Sequence, residues 1–264
     1  MNRIIPLSIL LSFSILFAAN DGVNLKLDYA AKQNWNYSLD YSSECVISGN
    51  GSASTKKTDI ACSVTGDLAP QKDKLQLKVG DMSVKSDLYD SSVISGMIGK
   101  ISKTGYDLNL IEGSPVVENN LDLSDGTPEW SIYMQLARLL PDMPQQPVKK
   151  GYTWERSASL PLQSPQGKVQ CEIYRLFKVE KISPKKDIVY ISWQFKYSSS
   201  ESPNNSTLTS YAPVAGSGTG NAVINAAKGL IVKADMQFKT PIAQIDNVNV
   251  NWIEKAALQY EEKK

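Results

Sequence analysis

The chain has 264 residues, with 28 Lys and Arg against 27 Asp and Glu and no histidine. A net charge of +1, without a basic stripe or an acidic tail, argues against a nucleic-acid partner. Lack of histidine removes Ser-His-Asp and Cys-His catalysis, nearly all catalytic zinc sites and the commonest general base, so neither a metal site nor a cofactor is expected.

The chain opens Met1-Asn2-Arg3, runs apolar from Ile4 to Phe17 and reaches Ala18-Ala19 before polar Asn20-Asp21. The stretch is shorter than the ~20 residues that cross a bilayer and ends in small residues, so residues 1–19 read as a cleavable secretory signal. Export to the periplasm or the extracellular space is expected, with no transmembrane anchor once the signal is removed. The first cysteine is Cys45, so no lipid-attachment cysteine follows the signal. Residues 20–264 read as one β-rich domain with halves at 20–140 and 148–264, joined by the proline-rich connector Pro141 to Val148.

In chain order, Trp35, Tyr37, Leu39 and Tyr41 alternate with Asn34, Asn36, Ser38 and Asp40, the pattern of a half-buried strand. Cys45 and Cys62 lie in two β-like runs joined by Gly49-Asn50-Gly51-Ser52. A hairpin in which they face each other keeps the apolar parity of both runs and predicts a disulfide, worth roughly 3 kcal/mol for a loop of about 18 residues. Leu75, Leu77 and Val79 continue the period, which slips at Gly80-Asp81 before Met82 and Val84 as a β-bulge would make it do. A weak helix candidate spans Ser91 to Ile101, although Gly96 and Gly99 lower its propensity. A stronger helix is marked by Thr127-Pro128-Glu129, with Trp130, Tyr133, Met134, Ala137 and Leu140 at helical spacing until Pro141. Val169 to Val179 and Val189 to Tyr197 form a hairpin around Pro184-Lys185-Lys186-Asp187, with Cys171 read as a buried core thiol. A last meander runs from Thr219 to Asn225, from Leu230 to Lys239 and from Val248 to Trp252, fraying after Glu254.

Gly216-Ser217-Gly218-Thr219-Gly220 lacks the spacing of a phosphate-binding loop and reads as a flexible lead into a strand. Paired carboxylates remain open, since glycoside hydrolysis needs only two at about 5 to 9.5 Å, but nothing in the sequence selects a pair. Trp35, Tyr37, Tyr41, Trp193, Phe195, Tyr197 and Trp252 line what reads as one sheet face, and large aromatics at strand period are first of all core. The functional alternative is a half-open barrel whose concave face, capped by the Trp130 to Leu140 helix, leaves an apolar cavity. Its candidate ligand-binding residues are Trp35, Tyr37, Leu39, Trp130, Trp193, Phe195 and Trp252.

The run from Leu140 to Trp154 contains Pro144-Gln145-Gln146-Pro147-Val148-Lys149-Lys150-Gly151-Tyr152-Thr153-Trp154. It resembles a Pro-x-x-Pro-Val-x-x-Gly-x-x-Trp segment of uncharacterised exported bacterial β-proteins. The wider layout is similar to the lipoprotein-carrier superfamily of periplasmic LolA-like and LppX-like proteins. That resemblance implies a half-barrel that shelters acyl chains on its concave face and performs no covalent chemistry.

The fold expected is mainly β, a curved antiparallel sheet or half-barrel with one or two covering helices. The function expected is that of a non-enzymatic exported envelope protein that binds a lipid or other hydrophobic ligand. The alternative is a structural module of the envelope with a filled core and an envelope protein partner. A carboxylate-dependent glycan hydrolase is the third reading.

Overall fold

A computed structural model of the protein describes residues 22–27, 35–49, 51–68, 74–101, 105–111, 114–116, 136, 138–164, 167–199, 215–245 and 248–262. The signal segment 1–19 and Trp130 lie outside the described residues.

Alternating apolar and polar side chains set most of the elements. Trp35–Gly49 (β1) and Ser52–Leu68 (β2) form a hairpin whose Asn50-Gly51 loop is a favoured two-residue turn sequence, with Gly51 at φ 77°. Lys74–Ser86 (β3) follows, then helix α1 over Ser91–Ile101, Gly105–Ile111 (β4) and Ser114–Val116 (β5). Beyond the connector come Thr153–Ser164 (β6), Gly167–Ile182 (β7), Ile188–Ser199 (β8), Ala215–Asn225 (β9), Leu230–Ile245 (β10) and Val248–Tyr260 (β11).

The protein is mainly β. All eleven strands form one open antiparallel sheet in the order β5-β4-β3-β2-β1-β11-β10-β9-β8-β7-β6. Every neighbour is a sequence neighbour except β1 and β11, which pair over twelve residues from Tyr37–Tyr260 to Ser48–Asn249. That seam joins the strands on either side of the connector into a single sheet.

The registers place one apolar row after another across the sheet. In one row Val84, Ile60, Tyr41, Ala256, Met236, Gly220, Trp193, Phe177 and Trp154 stand side by side on nine strands. The next carries Met82, Cys62, Leu39, Leu258, Ala234, Ala222, Ile191 and Val179. Most of these side chains are buried, in one cluster with Val23, Leu25, Leu27, Leu136, Leu139, Leu140, Met143 and Val148. The sheet thus has an apolar face, onto which two of the chain's own segments pack, and a polar face.

The in-phase glycines of β9 belong to this packing. A Cβ on Gly220 would run into the Trp193 ring, and one on Gly218 into the Phe195 ring and the Gln237 carbonyl. With no side chain on Gly218, Phe195 and Phe238 from the strands on either side stack with centroids 5.3 Å apart. The segment expected to be a flexible lead is therefore strand, and its glycines let aromatic rings lie flat on the sheet.

The bulge at Gly80-Asp81 appears as predicted, because Cys62 pairs with Met82 and Val64 with Val79. The weak helix candidate is α1; Asp90 Oδ1 accepts the Ser92 and Val93 backbone N–H groups at 3.0 and 2.9 Å, a cap that offsets the two glycines. Of the stronger helix, only the last turn lies among the described residues, with Leu140 N–H bonded to the Leu136 carbonyl at 3.0 Å before Pro141.

Two expectations are corrected. The last strand does not fray after Glu254 but continues to Tyr260, because Ala256 and Leu258 keep the apolar phase and pair with Tyr41 and Leu39. The disulfide between Cys45 and Cys62 is absent, and both thiols are free and buried. The two-residue turn fixes the register so that Cys45 faces Lys56 and Cys62 faces Leu39. Six residues of strand then separate the cysteines, about 20 Å, where a disulfide needs Cα atoms within about 7 Å. Burial pushes both thiols up, Cys62 to about 12 with a further push from the Asp40 carboxylate.

Gly220→Val should destabilise the fold by about 1–3 kcal/mol through overpacking against Trp193, measured by urea unfolding. Alkylation under denaturing, non-reducing conditions followed by peptide mass mapping should label both Cys45 and Cys62; a linked peptide pair would contradict the register.

Candidate functional site

The apolar face gains a charged edge one row beyond Trp193. Ser86, Thr58, Ser43, Glu254, Phe238, Gly218, Phe195, Arg175 and Arg156 stand side by side there. Two stacked phenylalanines occupy the middle of the row, and charges lie on both sides of them.

On one side Glu254 accepts a hydrogen bond from Tyr41 at 2.8 Å and pairs with Arg138 at 3.3 Å, both ionic side chains being nearly buried. Arg138 comes from the turn that ends at Leu140 and lies 4.6 Å over the Phe238 ring. Burial, followed by the Glu254 charge, holds the Tyr41 phenol well above its ordinary range.

On the other side three sheet residues grip the backbone of the connector. Arg175 donates to the Leu140 carbonyl at 3.2 Å, Trp154 Nε1 to the Asp142 carbonyl at 2.9 Å and Arg156 to the Met143 carbonyl at 3.3 Å. A helix end leaves such carbonyls without intrahelical partners, and cations are favoured beside them. Arg175 also pairs with the Asp142 carboxylate at 2.8 Å. Burial raises the Asp142 pKa, and the opposing pull of Arg175 and Arg156 does not cancel it. Trp154, Phe177 and Trp193 continue from this grip as an aromatic ladder, with centroids 5.0 and 6.0 Å apart.

Among the predicted site residues, Tyr37, Leu39, Trp193 and Phe195 are buried on the apolar face, and Trp252 lies half-buried on it opposite Cys45. Trp35 begins β1, but its side chain, like that of Cys171, is outside the described set. Tyr37 donates to the Ile231 carbonyl at 3.0 Å. The buried indole nitrogens of Trp193 and Trp252 have no hydrogen-bond partner among the described residues. A buried donor without an acceptor costs about 1–3 kcal/mol, so both positions call for an oxygen that the described chain does not supply.

Sequence reasoning missed Arg138, Asp142, Arg156, Arg175 and Glu254. The signal was present for three of them: Arg156 falls in the apolar phase of Trp154, Ala158 and Leu160, Arg175 in that of Ile173, Phe177 and Val179, and Glu254 in that of Ala256 and Leu258. A charge in apolar phase needs a partner, and here the partners come from the connector and the turn before it.

The polar face holds an open groove of about 660 Å³ with Asp40, Asp59 and Asp235 on its walls. Asp59 pairs with Lys57 at 3.1 Å in an exposed position, and Asp235 accepts from Asn221 at 3.3 Å. Among the described residues no cluster of three or more potential metal ligands occurs, and no helix is long and apolar enough to cross a membrane.

The fold and site define a class: an open antiparallel sheet whose apolar face is covered by the chain's own connector, pinned there by ion pairs. No family model and no curated protein matches the chain. Among solved structures it is similar to a chain of lipovitellin, from a structure concerned with lipid–protein interactions, at TM-score 0.49 and 11% identity over 88% of this chain. The match takes in 25% of the lipovitellin chain, so the protein spans about a quarter of its length. A DUF1329 family protein from Desulfovibrio piger matches at TM-score 0.18 and 11% identity, over 88% of each chain. A putative outer membrane lipoprotein-sorting protein domain from Vibrio parahaemolyticus matches at TM-score 0.14 and 8% identity, over 85% of this chain and 83% of that one. Scores and identities this low do not establish a common fold.

The Asp142 carboxyl yields a signed pH effect. Its folded pKa lies above the unfolded value, so the folded state binds the proton more tightly and this group's contribution to stability rises as pH falls through the folded pKa. Thermal unfolding of wild type and Asp142→Asn between about pH 7 and pH 4 should show the difference moving in favour of wild type on acidification. A shift in the opposite direction would mean that the Arg175 pair dominates burial.

Proposed function

We propose that the protein is a non-enzymatic, exported envelope protein that binds a lipid or other hydrophobic ligand against the apolar face of its sheet. The observation that carries the reading is the pair of buried indole donors, Trp193 and Trp252, left without acceptors on an apolar face that crosses nine strands. A hydrocarbon chain with an oxygen-bearing end supplies apolar contact and an acceptor for one of the two donors. Each methylene taken out of water contributes about 0.8 kcal/mol, so a chain of about sixteen contributes about 13 kcal/mol, which leaves about 8 kcal/mol, a micromolar affinity, after an association cost of about 5 kcal/mol. The apolar N-terminal stretch, Ile4 to Phe17, supports export.

In this reading ligand and connector share the face. The connector is held to the sheet edge through carbonyl hydrogen bonds and two ion pairs, which fix it at one end of the aromatic ladder. Trp193 and the stacked Phe195 and Phe238 are covered by the chain itself, so in this reading the ligand reaches them by displacing part of that cover. No step of bond making or breaking is involved.

Native mass spectrometry of the protein purified from its own envelope should reveal one acyl lipid per chain. Trp193→Phe, which keeps the ring and removes the N–H, should weaken uptake of that lipid about two- to tenfold with an unchanged circular dichroism spectrum. A clean unliganded mass with no uptake of added fatty acid or phospholipid would refute the reading and leave the envelope interaction module.

A further inference from the structure

Two segments of the chain cover the apolar face, and they are held in different ways. The connector and the turn before it are fixed by two ion pairs and by three side-chain donors of the sheet on their carbonyls. The other cover is residues 22–27, in which Val23, Leu25 and Leu27 are buried in the core cluster while Asn24 and Lys26 are exposed. That is the alternation of a strand with one side against the sheet. Yet the segment belongs to no ladder. Among the described residues its backbone makes two hydrogen bonds, both at Val23, which donates to the Val148 carbonyl and accepts from the Val148 N–H, each at 2.8 Å.

Both bonds go to the connector, so release of the segment breaks none in the sheet. Residues 22–27 take part in none of the ion pairs among the described residues. Gly22 marks the point where segment and connector meet. A Cβ there would stand 2.7 Å from the Pro147 Cβ and 3.1 Å from the Pro147 carbonyl carbon, so the close approach depends on glycine. The two covers therefore differ in what their release costs. Freeing the connector strands nearly buried charges, whereas freeing residues 22–27 gives up aliphatic contact and two hydrogen bonds that water can take. A hydrocarbon chain replaces aliphatic contact in kind. It cannot replace an ion pair.

We propose that residues 22–27 are a displaceable strap, which closes the apolar face in the unliganded protein and whose place the acyl chain of a lipid takes while the connector stays. This inference rests on the hydrophobic-ligand reading above and adds the part of the cover that yields. Strap and ligand compete for one surface, so the apparent dissociation constant is the intrinsic one divided by the fraction of molecules whose strap is open.

The test is titration with oleate, below its micelle concentration, of the protein freed of bound lipid. Val23 and Val148 are a hydrogen-bonded antiparallel pair, with Cα atoms about 5.5 Å apart in such pairs, so cysteines at both positions can be joined by a disulfide. The Val23→Cys, Val148→Cys protein, oxidised and with the link confirmed by peptide mapping, should bind oleate at least about tenfold more weakly than the same protein reduced. Gly22→Val, which holds the strap off Pro147, should bind about tenfold more tightly than wild type. In wild type, oleate should speed amide exchange at Val148 while Leu140, bonded to the Leu136 carbonyl, stays protected. Equal affinity of the oxidised and reduced cysteine pair would overturn the inference and leave the hydrophobic-ligand reading intact, since oleate would then enter under another part of the cover. No uptake by wild type, the reduced pair or Gly22→Val would remove that reading and the inference together. An unchanged exchange rate at Val148 in oleate-bound wild type overturns the inference by itself, which decides the matter if the cysteine pair does not fold.

Discussion

Everything in this molecule depends on the pairing of its first strand with its last. Twelve residues of β1 lie against twelve of β11, although more than 200 positions separate Tyr37 from Tyr260 in the chain. Without that seam β1 to β5 and β6 to β11 would be two sheets with four edges, and each would expose unpaired backbone and half an apolar face. With it, apolar rows run unbroken from β3 to β6 or β7. Such a contact closes a very long loop, so the seam is expected to form late, after the hairpins on either side. Tyr37 reinforces it by packing edge-on against Tyr260 with centroids 5.6 Å apart and by donating to the Ile231 carbonyl across β11.

The continuous apolar face creates the next problem, which is how to cover it. The connector solves part of this through charge as much as through hydrophobic contact. Arg138 reaches from the turn to Glu254 on the sheet, and Arg175 reaches from the sheet to Asp142 on the connector, so the two ion pairs run in opposite directions. Each is nearly buried, and buried pairs add little net stability while fixing geometry, because removal of one partner strands the other. The connector is therefore held in one position relative to Phe195, Phe238 and Trp193.

Much of the sheet was legible in the sequence because a period of two is a strong signal when one face is buried. Trp193 and Phe195, Tyr37 and Leu39, and the bulge at Gly80-Asp81 were all readable from alternation alone. The disulfide failed for a related reason: the parity that allows Cys45 to face Cys62 equally allows every register shifted by two, and the turn, not the parity, selects among them. The glycines of β9 were misread because glycine has two opposite uses, flexibility in a loop and clearance in a strand, and only the partner rings on β8 tell them apart. Arg138 and Asp142 were illegible because their partners are distant in the chain. Arg156, Arg175 and Glu254 were visible as charges out of place, but the sequence does not say what meets them.

The claim that joins these observations is that the apolar face, beside the pinned connector, is where a ligand sits. It is tested most directly by a crystal structure of the protein grown with a fatty acid brominated along its chain, which marks the chain by anomalous scattering. The account predicts bromine sites on the apolar face, beside Trp193 and Phe195, with the covering segment displaced. Bromine confined to the polar groove between Asp40 and Asp235, or no ordered bromine in well-diffracting crystals, would contradict it.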